Sequence, residues 1–104
     1  MNLEIFSIFD AKADAYITPF FLPNKAMAMR AFADCINSSS HQFGQNPQDY
    51  TLFHIGRFDD SSAAITSDNA RSLGNGLEFK KPLDTLDAAN SLATQKVINF
   101  GGTN

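Results

Sequence analysis

Apolar residues recur at two different spacings along the first sixty positions, and each spacing predicts its own element. In residues 3–9 (LEIFSIF), period-two geometry puts Leu3, Ile5 and Phe9 on one face and Phe6 and Ile8 on the other. Apolar groups on both faces predict a strand that is central in its sheet or covered twice. Residues 50–58 (YTLFHIGRF) read as a second strand. Tyr50, Leu52, His54, Gly56 and Phe58 share one face; Thr51, Phe53, Ile55 and Arg57 share the other. The Asp59-Asp60-Ser61-Ser62 cluster is a turn signal, and Ala63 to Thr66 returns as a short strand, which predicts a hairpin.

Between the two strands the period lengthens. Residues 24–37 form the clearest helical pattern, with Asn24 as N-cap and Met29, Phe32, Ala33 and Ile36 as the apolar stripe. Met27, three residues after the cap, rules out a capping box there. The methionines are expected to fill core, and Asn37 with Ser38-Ser39-Ser40 ends the helix.

The remaining segments carry weaker patterns. Asp10 to Asp14 suggests a turn, Tyr16-Ile17-Thr18 has β-type composition, and Pro19 and Pro23 block a continuous element, so 10–23 is expected to be irregular. Residues 38–49 read as a polar loop pinned by Phe43, and 67–76 as a polar turn region containing Gly74 and Gly76. Leu77 to Phe79 reads as a short final strand. Leu83, Leu86, Leu92 and Val97 suggest a weak helix over 84–98. Phe9-Asp10 before Tyr16-Ile17-Thr18 parallels Phe58-Asp59 before Ala64-Ile65-Thr66, each a strand, an acidic turn and a returning strand. The sum is an α+β domain over residues 1–80, a small, mainly antiparallel sheet of three to five strands with one principal helix packed on it. A tail over 81–104 either forms a C-terminal helix or stays mobile.

A length of 104 residues with ten Phe and no Trp suits one domain whose core is largely phenylalanine. The net charge of −3 argues against generic coating of DNA, which works by neutralising phosphates. Lys80-Lys81 is the only adjacent basic pair, so any basic patch has to be assembled by folding. The single cysteine, Cys35, reads as a small buried apolar residue. With only His41 and His54 beside it, no zinc spacing arises. No metal or cofactor is expected. The N-terminus lacks the pattern of a secretion signal, and no stretch approaches the roughly 20 apolar residues of a membrane span, so no membrane partner is expected.

Chemistry-bearing motifs are absent: no GxSxG, P-loop, HExxH or dinucleotide fingerprint. Asp59-Asp60 reads as a pair of solvated turn carboxylates and His54 as a hydrogen-bonded structural histidine, so no enzyme is expected. Lys12, Tyr16, Phe20, Phe21, Lys25 and Arg30 lie within nineteen residues, and Arg57 can join them from a neighbouring strand. Rings for stacking beside cations for phosphates suit a single-stranded nucleic acid. The same rings would make an ordinary core or dimer contact, and most of them are expected to be structural.

The segment FSIFDAKADAYITPFFLPNKAMAMRAFADCIN, followed by DYTLFHIGRFDD, resembles the small nonstructural protein of gokushovirus-type microviruses, which are single-stranded DNA phages. The resemblance covers about residues 3–80. Its most specific parts are Asp10-x-Lys12-Ala13, Tyr16, Pro19-Phe20-Phe21, Arg30-Ala31-Phe32, Tyr50-Thr51-Leu52-Phe53, Gly56 and Phe58-Asp59. It implies a nonstructural, DNA-binding phage protein that acts in the host bacterial cytoplasm, in viral DNA replication or genome production. It transfers no binding residues. The alternative expectation is a protein-interaction module that binds a viral or host replication protein. Two-sided apolar strands in so short a chain also predict self-association, most simply as a homodimer.

Overall fold

A computed structural model describes residues 1–82. β1 (Asn2–Asp10) is the spine of the sheet. One of its edges pairs antiparallel with β4 (Tyr50–Asp59). The other pairs with two short strands laid end to end, β2 (Ala15–Tyr16) and β3 (Phe20–Leu22). β5 (Ile65–Asn75) pairs with β4 and forms the far edge, so the order is β2-β1-β4-β5 with β3 beside β1. All five strands are antiparallel to their neighbours, and α1 (Lys25–Ile36) is the principal helix, which makes the fold α+β. β1 holds the central position that its two apolar faces predict.

The 10–23 segment is more regular than its prolines suggest. The Ile17 N–H donates to the Ile8 carbonyl at 2.9 Å and extends β2 by one step. Pro19 has no N–H to offer, and pairing resumes at Phe20. The two acidic turns are built alike. Asp10 Oδ1 accepts from the N–H of Lys12 at 3.0 Å and of Ala13 at 3.2 Å. Asp59 Oδ1 accepts from the Ser61 N–H at 2.9 Å and its hydroxyl at 2.7 Å. Four positions after each aspartate a residue takes the left-handed conformation, Asp14 with φ 55° and Ala63 with φ 64°. Asp tolerates that region better than Ala. Ala63→Gly is therefore expected to stabilise the domain by about 1 kcal/mol, raising the thermal midpoint by about 4–8 °C. A lowered midpoint in thermal unfolding would contradict this account of the turn.

α1 lays Ala28, Phe32 and Ile36 against Phe6, Ile8, Tyr50 and Leu52, and these residues form the core. This stripe is rotated from the expected one. Ala28 is fully buried, whereas Met27 and Met29 stay 40% and 36% exposed and so do not fill the core. Ala28, Phe32 and Ile36 form one i, i+4, i+8 row, and the small alanine suits close approach to the sheet. Asn24 caps the helix as expected, its side-chain oxygen accepting from the Met27 N–H at 2.9 Å. Cys35 is half-buried rather than buried; desolvation, aided by the charge of Asp34, pushes its thiol up.

The 38–49 segment contains a helical turn, α2 (Gln42–Gln45), and a 3-10 turn over Pro47–Asp49. Phe43 does pin it, with its ring 4.3 Å from that of Tyr50 and 6.0 Å from that of Phe32. Residues 77–79 are not a strand. They lie in a helical turn, α3 (Gly76–Phe79), because Asn75 and Glu78 form a capping box. Asn75 accepts from the Leu77 N–H at 3.0 Å, and Glu78 accepts from the Asn75 N–H at 2.9 Å. Phe79 then packs edge-on against Phe32. β5 runs eleven residues where a four-residue strand followed by a loop is expected. Residues 65–72 are exposed on this edge strand, so their sequence carries no buried alternation. The suggested 84–98 helix lies outside the described residues.

Candidate nucleic-acid interface

Two irregularities in the sheet meet at one place. Phe6 pairs with His54 and Ile5 with Gly56, so Ile55 is an extra residue in β4. A bulge of this kind breaks the alternation of side chains. Before it, Tyr50, Leu52 and His54 point to the helix side with Phe6 and Ile8. After it, Arg57 turns to the helix side beside Glu4, and Phe58 turns to the opposite face. Strict period two would place both the other way. On the far side of β4, His54 pairs with Arg71 and Gly56 with Ser67, so residues 68–70 stand opposite Ile55 alone. Gly56 fits between the strands because a Cβ there would lie 2.5 Å from the Thr66 carbonyl oxygen.

The doubled bulge opens a cavity of about 330 Å³ on the helix side of the sheet, next to the start of α1. Lys25, His54, Arg57, Asp68, Asn69 and Arg71 line it. Glu4, outside the lining, holds two of its residues. One carboxylate oxygen lies 2.7 Å from His54 Nε2, and the other accepts from Arg57 Nε at 3.4 Å. Burial alone would raise the Glu4 carboxyl, but the His54 and Arg57 hydrogen bonds and the guanidinium charge outweigh it and hold the carboxyl below its ordinary range. An ionised carboxylate can only accept, so His54 carries a proton on Nε2. Phe6 closes over the imidazole, with ring centroids 5.5 Å apart. Among the described residues, Lys25 and Arg71 make no ion pair. The lining thus carries three cations, one of them paired with Glu4, against the single carboxylate of Asp68.

The opposite face of the sheet is apolar and aromatic. Tyr16 packs edge-on against Phe9 and Phe53 at 5.0 and 5.4 Å, and Phe21 against Phe58 at 5.8 Å. Tyr16 and Phe21 are nearly half exposed, and Ile65, paired with Phe58 on the far edge strand, is 63% exposed. A shallow apolar depression of about 340 Å³ is lined by Ser7, Tyr16, Ile17, Pro19, Ile55 and Ala70. Ser7 is satisfied there, its hydroxyl donating to the Ile17 carbonyl at 2.7 Å. The helices among the described residues lie on the other side.

The seven residues singled out in the sequence are therefore distributed over both faces. Lys25 and Arg57 meet in the cavity. Tyr16 and Phe21 share the aromatic face. Phe20 lies on the helix side, partly buried against the Phe6 ring at 5.8 Å. Lys12 is exposed in the β1–β2 turn, and Arg30 is exposed on α1 outside the cavity lining. Sequence reasoning missed Arg71, His54, Asp68 and Asn69 as lining groups. A signal for them existed in the hairpin. Counted back from the Asp59–Ala64 hydrogen bond, an unbulged ladder sets Asn69 opposite His54, and the extra residues bring Arg71 there instead.

A small antiparallel sheet with one covering helix, one aromatic face and one cation-lined cavity is the class defined by this geometry. The family model described as Phage ORF5 protein matches residues 3–79, and the chain belongs to that family of phage proteins. No curated protein and no solved structure matches it. No helix among the described residues is long and apolar enough to cross a membrane.

Proposed function

We propose that this phage protein is a non-enzymatic single-stranded DNA-binding accessory, acting in the host bacterial cytoplasm during phage DNA replication or genome production. The observation that carries the proposal is the meeting of Lys25, Arg57 and Arg71 around one open cavity in a chain that is acidic overall. A local concentration of cations suffices for phosphate contact whatever the mean charge. Exposed Tyr16 and Phe21 supply π-faces on the other side of the sheet, and base stacking contributes about 1–3 kcal/mol per base. Fluorescence anisotropy with labelled oligonucleotides over a salt series tests the proposal. Single strands are expected to bind more tightly than duplexes, with affinity falling as salt rises. Tyr16→Ala is expected to weaken binding by about 1–3 kcal/mol without unfolding the domain. Folded protein that binds no oligonucleotide at low salt would overturn the proposal.

The aromatic face favours a second reading, in which the chain is a protein-interaction module. The exposed apolar side chains Tyr16, Ile17 and Phe21, with Ile65 on the far edge strand, have the composition of an interface core, for a second copy of this chain or for a viral or host replication protein. A monomeric mass by light scattering at working concentration, together with strong DNA binding in the absence of any partner, would remove this reading.

A further inference from the structure

The cavity between α1 and the doubled bulge differs from a diffuse basic surface. Its cations come from three separate elements: Lys25 from the first position of α1, Arg57 from β4 just past one bulge, and Arg71 from β5 just past the other. Arg57 is held in place by Glu4, which is itself held by the buried His54. Lys25 and Arg71 have no carboxylate partner among the described residues, so their donors are free for a ligand. Asn69 adds a neutral polar group to the lining, and Asp68 is the single acidic side chain there. A volume of about 330 Å³ equals that of roughly ten waters, which is room for one anionic group and its first hydration shell. Arginine forks recognise phosphate oxygens in pairs, and lysine adds a point charge.

We propose that this cavity is a discrete seat for a single phosphate group, gripped by Arg71, Lys25 and Arg57, with Glu4 and His54 as positioning residues for Arg57 and Asp68 as an opposing charge that limits affinity. The proposal deepens the DNA-binding function and rests on it for the ligand's identity. A seat is saturable, whereas diffuse electrostatic attraction responds only to ionic strength.

Competition separates the two. A labelled oligonucleotide is bound to the full chain and challenged with inorganic phosphate, against sodium chloride at matched ionic strength. Phosphate is expected to displace the oligonucleotide more effectively than chloride. Arg71→Gln, an exposed position whose change leaves the core intact, is expected to weaken oligonucleotide binding about tenfold, the order for one charge-assisted hydrogen bond. Asp68→Asn is expected to tighten it severalfold. Comparing 5′-phosphorylated with 5′-hydroxyl strands identifies the source. Preference for the former assigns a terminal phosphate and equal binding an internal phosphodiester, and both support the seat. Oligonucleotide binding that is unchanged in Arg71→Gln and Asp68→Asn and insensitive to phosphate over chloride would overturn the seat while leaving DNA binding intact. If no oligonucleotide binds, phosphate is titrated directly against the backbone amide signals of residues 54–57 and 67–71. Saturable shifts abolished by Arg71→Gln would keep the seat and remove the DNA proposal; no shifts would remove both.

Discussion

Replacing Phe6 by alanine is expected to cost about 3–5 kcal/mol of folding stability, the largest loss from any single truncation in this domain. Phe6 is fully buried at the middle of the central strand. Its ring lies 5.8 Å from that of Phe20 and 5.5 Å from the His54 imidazole, and it belongs to the cluster that α1 covers. One side chain therefore joins β3, β4 and the helix. Small domains hold about 5–15 kcal/mol in total, so the variant would sit near the edge of folding. Urea unfolding measures this directly. Phe6→Leu, which keeps most of the volume, should lose clearly less. A loss below about 1 kcal/mol for Phe6→Ala would show that the core collapses around the gap, contrary to the packing described.

Glu4→Gln is expected to lower stability at neutral pH by about 1–3 kcal/mol and to flatten the acid side of the stability profile. An amide can still accept from His54 through its oxygen. Its NH₂ group, however, then faces the Arg57 guanidinium, and two donors oppose each other. The sign of the pH effect follows from the carboxyl being held below its ordinary value of 4.5 in the folded chain. Stability from this group is complete above that ordinary value and is lost as pH falls through the lower folded one. Wild type should weaken over that acidic window, and Glu4→Gln should weaken less there. Denaturant midpoints between neutral and acidic pH measure the difference. Equal slopes for the two proteins would show that Glu4 is not the group that titrates with folding.

Much of the architecture was legible because burial leaves a period in the sequence. β1 and β4 carry apolar residues at spacing two, and α1 carries a cap at Asn24 and its apolar row. The hairpin over 59–64 announced itself through Asp59, Ser61 and Ser62, whose polar atoms make the turn. β5 was not legible past Thr66, because an exposed edge strand has no face to bury. α3 differs from the short strand that Leu77 to Phe79 suggest, because three apolar-bounded residues suit a strand while the Asn75…Glu78 spacing caps a helical turn. The rotation of α1 followed from an alanine, Ala28, whose small size hid its place at the sheet.

The candidate site was less legible than the fold, for a different reason. Lys25 and Arg57 were named, yet their meeting depends on the extra residue at Ile55, which no local pattern marks. Tyr16, Phe21 and the cations were grouped by nearness in the chain. A sheet separates neighbours in sequence onto opposite faces, so nearness along the strand is a poor guide to shared surface. Arg71 lay in a stretch with no apolar rhythm and became visible only through its partner, His54.

Ile55 also makes the domain sensitive to the count of residues rather than to their kind. Deleting it would set His54 and Gly56 side by side opposite Phe6 and Ile5, with Arg57 still opposite Glu4 and Phe58 still opposite Leu3, so both faces of β4 would be kept. Residues 68–70 of β5 would then stand opposite no residue of β4. A single-codon deletion at this point would therefore remodel the cavity while sparing the wet and dry sides of the sheet.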